Sequence, residues 1–249
     1  MSNNKLKLTK THDSCISNHP RLAVVMIHGI ASDSSTYDHA IKYLNEQKSL
    51  SDIRLVTFDL LGSGKSPKDD SLNYDYKDQL EALHNSIEEL KLNVPLVLIG
   101  HSLGTFIVTR YADTFKKSVN KLVLISPPVY TEKDLTNPAF EMGIKMFRDA
   151  VSIRNRKVLE EKSFNNSMDK IVLNRRNYKV LTELTTPTVM IYGNMDQLIA
   201  SYNIPRLVKQ NSRHITAIQT DGRHGITRDK YTVLGKILEE SLNAQTINR

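Results

Sequence analysis

The feature of this sequence that most constrains its fold is a series of short apolar runs separated by longer stretches. Each run has the four to six residues of a buried strand, and apolar residues at helical spacing fill much of the chain between them. Strands that alternate with helices favour a mostly parallel sheet covered by helices on both faces. We therefore predict an α/β fold with strands at 22–27, 53–58, 96–99, 122–125, 187–192 and 215–218.

Two parts of the chain depart from this alternation. Charged and apolar residues alternate at 5–9, which predicts an additional edge strand. Residues 129–185 look helical and charged and contain no buried-strand pattern, with a helix predicted to begin at Asn137-Pro138. We therefore predict one domain, whose α/β core comprises residues 1–128 and 186–249 and carries a helical cap inserted at 129–185.

The pentad Gly100-His101-Ser102-Leu103-Gly104 lies between the apolar run 96–99 and a predicted helix. G-x-S-x-G at such a junction is the nucleophile-elbow pattern, in which a tight turn exposes the serine hydroxyl. The flanking glycines remove Cβ atoms that would collide with the neighbouring strand and helix. Taken alone, the pentad fits an ordinary strand–turn–helix joint equally well, so other residues are needed to distinguish a nucleophile elbow from such a joint.

Two later residues complete a pattern with this serine. A serine becomes nucleophilic when a histidine takes its proton and a carboxylate orients that histidine. Asp196 and His224 follow the runs 187–192 and 215–218, in the order Ser, Asp, His expected after an elbow serine. Since functional groups gather where parallel strands end, the sequence predicts Ser102, Asp196 and His224 as a catalytic triad.

Other histidines near the strand ends are given different roles. His28 also follows a strand, but it precedes the elbow in the chain, and we expect it to brace its own loop. His101 is the neighbour of the elbow serine, and its side chain is expected to point away from the nucleophile. Neither residue is predicted to take the proton of Ser102.

Several function classes are excluded or disfavoured. Residues 64–66 resemble the end of a phosphate-binding loop, but Asp59 stands where that motif needs a glycine, and Pro67 follows where a helix should begin. The net charge of +7 comes from scattered lysines and arginines, so we expect no nucleic-acid partner. The single cysteine and the lack of a long apolar run predict a cytoplasmic protein without stable membrane insertion.

From about residue 20 to 242 the chain resembles the α/β-hydrolase fold family, in its esterase/lipase-like branch. The resemblance implies Ser102 as nucleophile, His224 as general base and acid, and Asp196 as its orienting carboxylate. It also implies an oxyanion hole formed by the backbone N–H groups of Ile30 and Leu103. The motifs that carry the resemblance are His28-Gly29, Asp59-x-x-Gly62-x-Gly64-x-Ser66, Gly100-x-Ser102-x-Gly104, Gly193-x-x-Asp196 and His224.

This resemblance implies a serine hydrolase that cleaves carboxylic esters of small, mainly apolar substrates through an acyl-enzyme, without metal or cofactor. Thioesterase, amidase and carbon–carbon bond hydrolase remain open, because all use the same triad. A ligand-sensing protein that keeps the triad without turnover is a further alternative. Flexible apolar residues of the predicted cap are expected to contact the substrate: Phe140, Met142, Met146, Phe147, Phe164 and Met168. The oligomeric state is not predicted.

Overall fold

A computed structural model describes residues 5–116, 118–154 and 161–244. Within these ranges, strands and helices alternate along most of the chain. The strands are β1 (Thr9–Ser14), β2 (Leu22–Ile27), β3 (Ile53–Asp59), β4 (Leu96–His101), β5 (Lys121–Ile125), β6 (Thr188–Gly193) and β7 (Ile215–Thr220). They form one sheet in the order β1-β3-β2-β4-β5-β6-β7. β1 is antiparallel to β3, and every other neighbouring pair is parallel.

The helices of the described ranges lie on both faces of this sheet or beyond its carboxyl edge. Their bounds are α1 (Asp38–Glu46), α2 (Tyr76–Glu89), α3 (Leu103–Thr114), α4 (Glu132–Leu135), α5 (Pro138–Arg154), α6 (Glu161–Ser167), α7 (Asn177–Glu183), α8 (Ile204–Gln210), α9 (Ile226–Asp229) and α10 (Tyr231–Asn243). None of them is long and apolar enough to cross a lipid bilayer.

Alternate residues of the central strands fill two separate cores. Val25 of β2 points to the face covered by α2 and α3, where it belongs to one cluster with Leu83 and Ile107. Val24 points to the other face and belongs to a second cluster with residues of α1 and α10, including Leu234. Because both faces are buried, β2 is apolar throughout instead of alternating. The predicted α/β class with a mostly parallel sheet is confirmed.

The edge strand lies four residues later than the sequence pattern indicated. β1 pairs with β3 from Thr9 onwards, whereas residues 5–8 are not in a strand. Side chains of α2 bind this earlier segment instead: the Leu8 backbone N–H donates to Ser86 Oγ at 2.8 Å, and Asn85 Nδ2 donates to the Leu6 carbonyl at 2.9 Å. These hydrogen bonds take the backbone groups that a strand would have used, so the prediction of a strand at 5–9 was wrong in position.

The chain between β5 and β6 is helical wherever the structure describes it. Helix α5 begins at Pro138, as the Asn137-Pro138 signal predicts, and Asn137 Oδ1 accepts a hydrogen bond from the Ala139 N–H at 2.9 Å. The described parts of 129–185 contain no strand. The division into a core and a cap at 129–185 stays a prediction. Below, the name helical segment means α4 to α7.

Candidate active site

Ser102 occupies a strained turn between β4 and α3. Its φ is +50°, in the left-handed region that non-glycine residues rarely adopt, and its ψ is −116°. Such a conformation costs on the order of 1–3 kcal/mol and persists only where the surroundings impose it. The Ser102 N–H donates to the Ile125 carbonyl of β5 at 3.0 Å. The surrounding strands therefore impose the strained turn, and this turn places the Ser102 hydroxyl at the carboxyl edge of the sheet.

The two glycines of the pentad permit this turn. A Cβ on Gly100 would lie 2.5 Å from the Gly104 carbonyl oxygen, and one on Gly104 would lie 2.2 Å from the Ile27 carbonyl oxygen. Both obstacles are backbone atoms of packed elements, which cannot move aside as a side chain can. The steric reason that the sequence suggested for the glycines therefore holds in the structure.

The structure brings Ser102, His224 and Asp196 into hydrogen-bond contact. His224 Nε2 lies 2.9 Å from Ser102 Oγ, and His224 Nδ1 lies 2.8 Å from Asp196 Oδ2. The Asp196 side chain is fully buried, whereas 23% of the His224 side chain is exposed. Because a carboxylate can only accept, Nδ1 carries the proton of the neutral ring, and Nε2 is left free to accept from the serine hydroxyl.

Asp196 and His224 lie in two loops that are joined by a backbone hydrogen bond. The Met195 N–H donates to the Gly222 carbonyl at 3.0 Å, and a Cβ on Gly193 would lie 2.1 Å from that same carbonyl oxygen. The close approach therefore requires glycine at position 193. In addition, Asp196 Oδ1 accepts from the Leu198 N–H at 3.0 Å, which orients the carboxylate. These contacts hold Asp196 and His224 close to each other beyond the carboxyl ends of β6 and β7.

The residues expected to supply backbone donors lie beside Ser102. Leu103 is the first residue of α3, where backbone N–H groups have no carbonyl partner within the helix. Ile30 lines the same cavity as Ser102 and His224, and no hydrogen bond among the described residues uses its N–H. The oxyanion hole formed by these two N–H groups stays a prediction.

An apolar cavity of about 350 Å³ opens beside the serine. Its floor includes Ser102, Ile30 and His224, and α5 forms one wall. Three of the six residues expected to contact a substrate line it: Phe140, Phe147 and Met168. Phe164 is buried and packs on Phe147, with ring centroids 6.4 Å apart. Met142 and Met146 are 58% and 65% exposed, so the expectation was wrong for these two, because they lie on the opposite face of α5.

The glycine-rich turn after β3 is filled by a carboxylate. Asp59 Oδ2 accepts from the Lys65 N–H at 2.8 Å, and Asp59 Oδ1 accepts from the Ser34 N–H at 2.9 Å. A Cβ on Gly64 would lie 2.1 Å from Asp59 Oδ2. An anionic side chain thus occupies the space that a phosphate would need, which agrees with the exclusion of a phosphate-binding loop.

His28 braces its loop, as predicted. Its Nε2 accepts from the Leu60 N–H at 2.9 Å, and its Nδ1 lies 2.8 Å from the Gly29 carbonyl, to which it donates. Complete burial lowers its pKa, so this side chain stays neutral. No group of three or more His, Cys, Asp or Glu residues that could hold a metal ion occurs in the described ranges.

A comparison with models of protein families shows to which family this chain belongs. The model of the alpha/beta hydrolase fold matches residues 23–171, which is more than half of the 249-residue chain. The chain belongs to the α/β-hydrolase fold family. The match begins in β2 and runs through the Ser102 turn into the helical segment.

Several curated relatives of this hydrolase are named as esterases or lipases. "Putative esterase/lipase 2" of Mycoplasma pneumoniae is 25% identical over 224 residues, covering 86% of this chain and 80% of that protein. "Probable lysophospholipase BODYGUARD 5" of Arabidopsis thaliana is 30% identical over 128 residues, or 51% of this chain. The alignment spans only 29% of the length of the Arabidopsis protein.

Solved structures share the fold of this hydrolase over nearly its whole length. A monoacylglycerol lipase from Paleococcus ferrophilus aligns with a TM-score of 0.69 at 21% identity, covering 96% of this chain and 99% of that chain. An esterase from Exiguobacterium antarcticum aligns with a TM-score of 0.72 at 18% identity, covering 92% and 93%. At such low identity these likenesses show the fold alone.

Sequence reasoning missed several residues that support the site of this hydrolase. Tyr130 donates its hydroxyl to the Leu198 carbonyl at 2.5 Å, and Asp134 accepts hydrogen bonds from the Tyr202 hydroxyl and from Asn203 Nδ2. Burial raises the pKa of Asp134, but its hydrogen bonds, first among them that from the Thr131 side chain, outweigh this and hold the pKa below its usual range. In the sequence, only the positions of these residues could have indicated a role, since Tyr130 and Asp134 lie in the stretch after β5 and their partners in the stretch after β6.

Proposed function

We propose that this hydrolase cleaves carboxylic esters with a small or medium-sized apolar acyl group, through an acyl-enzyme on Ser102. The observation that carries the proposal is the chain of hydrogen bonds from Ser102 Oγ through His224 to Asp196, at the floor of an apolar cavity. A histidine that accepts from a serine hydroxyl and donates to a buried carboxylate is the arrangement that activates serine for acyl transfer.

In the first half-reaction, Ser102 Oγ attacks the ester carbonyl carbon while its proton passes to His224 Nε2. Negative charge builds on the carbonyl oxygen, and the N–H groups of Leu103 and Ile30 would stabilise it. The tetrahedral intermediate then expels the alkoxide, which takes the proton from His224 and leaves as an alcohol. Water repeats these steps on the acyl-enzyme and releases the carboxylic acid.

The size and lining of the cavity support a modest acyl group. Its volume of about 350 Å³ lies near the lower end of the range of about 300–1,000 Å³ for ligand pockets. If each non-hydrogen atom of a substrate takes about the ~30 Å³ of a water molecule, the cavity holds roughly a dozen such atoms. Phe140, Ile144 and Phe147 of α5 present apolar side chains to this space, which suits an acyl chain better than a charged group.

The test is pre-steady-state hydrolysis of p-nitrophenyl esters that range from acetyl to palmitoyl. We expect a burst of about one nitrophenol per protein chain, because nitrophenol leaves readily and acylation of Ser102 should then be faster than hydrolysis of the acyl-enzyme. The specificity constant should be highest between butyrate and octanoate. Matched thioester and amide substrates test the alternative bond types, and labelling by a fluorophosphonate without multiple turnover would indicate a ligand-sensing protein. A hydrolysis rate that a metal chelator abolishes would contradict the proposal.

The proposal includes the partner and the location of the protein. Its partner is a small-molecule ester, and no metal, cofactor or nucleic acid is required. A cytoplasmic location is proposed on the single cysteine, which is typical of proteins in reducing compartments.

Gly143 is expected to set the length of acyl chain that the cavity accepts. This glycine lines the cavity from the middle of α5, and an added Cβ would meet no atom within 4 Å. Because Gly143 is exposed where it lines the cavity, Gly143→Leu should place its side chain at the solvent-facing end of the cavity, into which the longer acyl chains would extend. We expect the specificity constant for the octanoate to fall about tenfold or more, which corresponds to roughly 1.4 kcal/mol, while that for the acetate stays nearly constant.

Gly143→Ala is the matched control for this prediction. It adds a single methyl group and improves the helix by roughly 0.5–1 kcal/mol, so it should stabilise the protein while leaving the chain-length profile nearly unchanged. Thermal unfolding and the ester series measure the two effects separately. An equal loss for all chain lengths in Gly143→Leu would contradict a role in selecting length.

A further inference from the structure

His101 is a buried histidine that the proposed acyl transfer does not use. It is the last residue of β4 and is 7% exposed. Its Nε2 lies 3.0 Å from the backbone carbonyl oxygen of His224. Because a carbonyl oxygen can only accept, Nε2 carries the proton of the His101 ring. The residue next to the nucleophile thus donates a hydrogen bond to the backbone of the histidine that contacts it.

Ser126 supplies a second donor to the same carbonyl. It directly follows β5, is fully buried, and has a φ of +47°. Its N–H donates to the Ile191 carbonyl at 2.7 Å, and its Oγ donates to the His224 carbonyl at 3.3 Å. The two donors come from the carboxyl ends of β4 and β5, which are neighbouring, buried strands in the interior of the sheet.

The backbone itself does little to fix this carbonyl. α9 begins at Ile226, and the N–H groups of its last two residues, Arg228 and Asp229, donate to the Gly225 carbonyl at 2.9 Å each. The His224 carbonyl is one residue too early to enter the helix, and no backbone N–H among the described residues donates to it. His101 and Ser126 are therefore its hydrogen-bond partners within those ranges.

We propose that His101 is a positioning residue, which together with Ser126 fixes the His224 carbonyl and so holds the imidazole within reach of Ser102 Oγ. This inference rests on the proposed function, since positioning matters when His224 takes the serine proton. The geometry explains why a donor is needed here. A ring that turns about a loosely held backbone would lose either its contact with Ser102 or its contact with Asp196.

The surroundings of His101 keep its ring neutral, so that the hydrogen bond from its Nε2–H does not change with pH. Burial first, and the neighbouring His224 second, lower the pKa of His101 to about 3. The titratable groups that influence it are His224, Asp196 and His28. Its Nδ1 has no hydrogen-bond partner among the described residues, as expected for the bare nitrogen of a neutral ring. His101 therefore donates unchanged at every pH at which His224 is a functional base.

The test compares His101→Leu, which removes the donor, with His101→Gln, whose side-chain amide can donate from nearly the same place. We expect kcat for an activated ester to fall about tenfold in His101→Leu and about 100-fold when Ser126→Ala is added, since misplacement by about 1 Å costs about that much. KM should stay nearly constant. His101→Gln should recover most of the loss in kcat.

Two further measurements separate positioning from a general loss of structure. Thermal unfolding should show similar midpoints for the Leu and Gln variants. In proton NMR, the His224 Nδ1–H shared with Asp196 should give a low-field signal that is retained in His101→Gln and broadened in His101→Leu. This signal does not depend on turnover, so it tests the positioning even if the proposed ester hydrolysis fails.

His84→Leu provides the matched control, since His84 is a partly buried histidine of α2 that bonds to Tyr111, away from the site. It should leave kcat and the low-field signal unchanged. Wild-type kcat in His101→Leu would overturn the proposal, and so would equal losses in the Leu and Gln variants or an unaltered low-field signal in His101→Leu.

Discussion

Ser102→Ala is expected to lower kcat for an activated ester about 10⁶-fold, the loss typical when a serine nucleophile is removed. The substitution deletes a single oxygen atom, which contacts His224 Nε2 at 2.9 Å, and leaves the apolar cavity in place. Ester binding should therefore survive while chemistry stops. Steady-state hydrolysis measures the first effect, and competition by a non-hydrolysable ether analogue measures the second.

The appropriate control for this variant is Ser118→Ala. Ser118 is exposed in the turn after α3, and its hydroxyl donates to the Phe115 carbonyl. Wild-type activity is expected there, together with normal labelling by a fluorophosphonate probe. Thermal unfolding should show both variants folded. If Ser102→Ala still formed an acyl-enzyme or hydrolysed the ester at more than a trace of the normal rate, another residue would be the nucleophile.

Asp196→Asn is expected to lower kcat about 10⁴-fold without changing the shape of the site. One carboxylate oxygen accepts from the His224 Nδ1–H and the other from the Leu198 N–H. An asparagine has one oxygen for these two donors. If its NH₂ group faces His224, Nδ1 has to accept and the ring proton moves to Nε2. A protonated Nε2 cannot take the proton of Ser102, so acylation fails although all atoms remain close.

Asp221→Asn tests whether loss of a negative charge near His224 is sufficient to produce this effect. Asp221 is exposed in the same loop as His224, so its neutralisation should change kcat by less than about twofold, as for a charge screened by solvent. Specificity constants and thermal unfolding should be measured for both variants. Activity of Asp196→Asn within about tenfold of the wild type would mean that the carboxylate does not control the tautomer of His224.

The sequence contained enough information for the core and for the three residues of the candidate site. Strands buried on both faces are apolar at most positions, so β2 to β6 stand out without knowledge of the fold. The site residues follow from the order of strand ends, because parallel strands bring these ends to one edge. Glycine at 100 and 104 marks the turn, since any larger residue would overlap backbone atoms.

Other features depend on contacts that no local pattern records. β1 is polar and half-exposed, so its place was decided by pairing with β3 and by the side chains of α2. The bond from His101 to the His224 carbonyl joins residues 123 positions apart. Apolar content alone did not show that Met142 and Met146 face solvent, because the orientation of α5 is set by what its other face covers.

The hydrogen bonds that join Tyr130, just before the helical segment, and Asp134, in its first helix, to the loop after Asp196 have a consequence for redesign. Tyr130 donates to the Leu198 carbonyl, and Asp134 accepts from Tyr202 and Asn203, and all three partners follow Asp196 in the chain. The chain that leads into the α5 wall of the cavity is thus hydrogen-bonded to the loop that carries Asp196. An exchange of the helical segment that alters the cavity also removes Asp134, so the new segment has to supply an acceptor for Tyr202 and Asn203 if the loop of Asp196 is to keep its position.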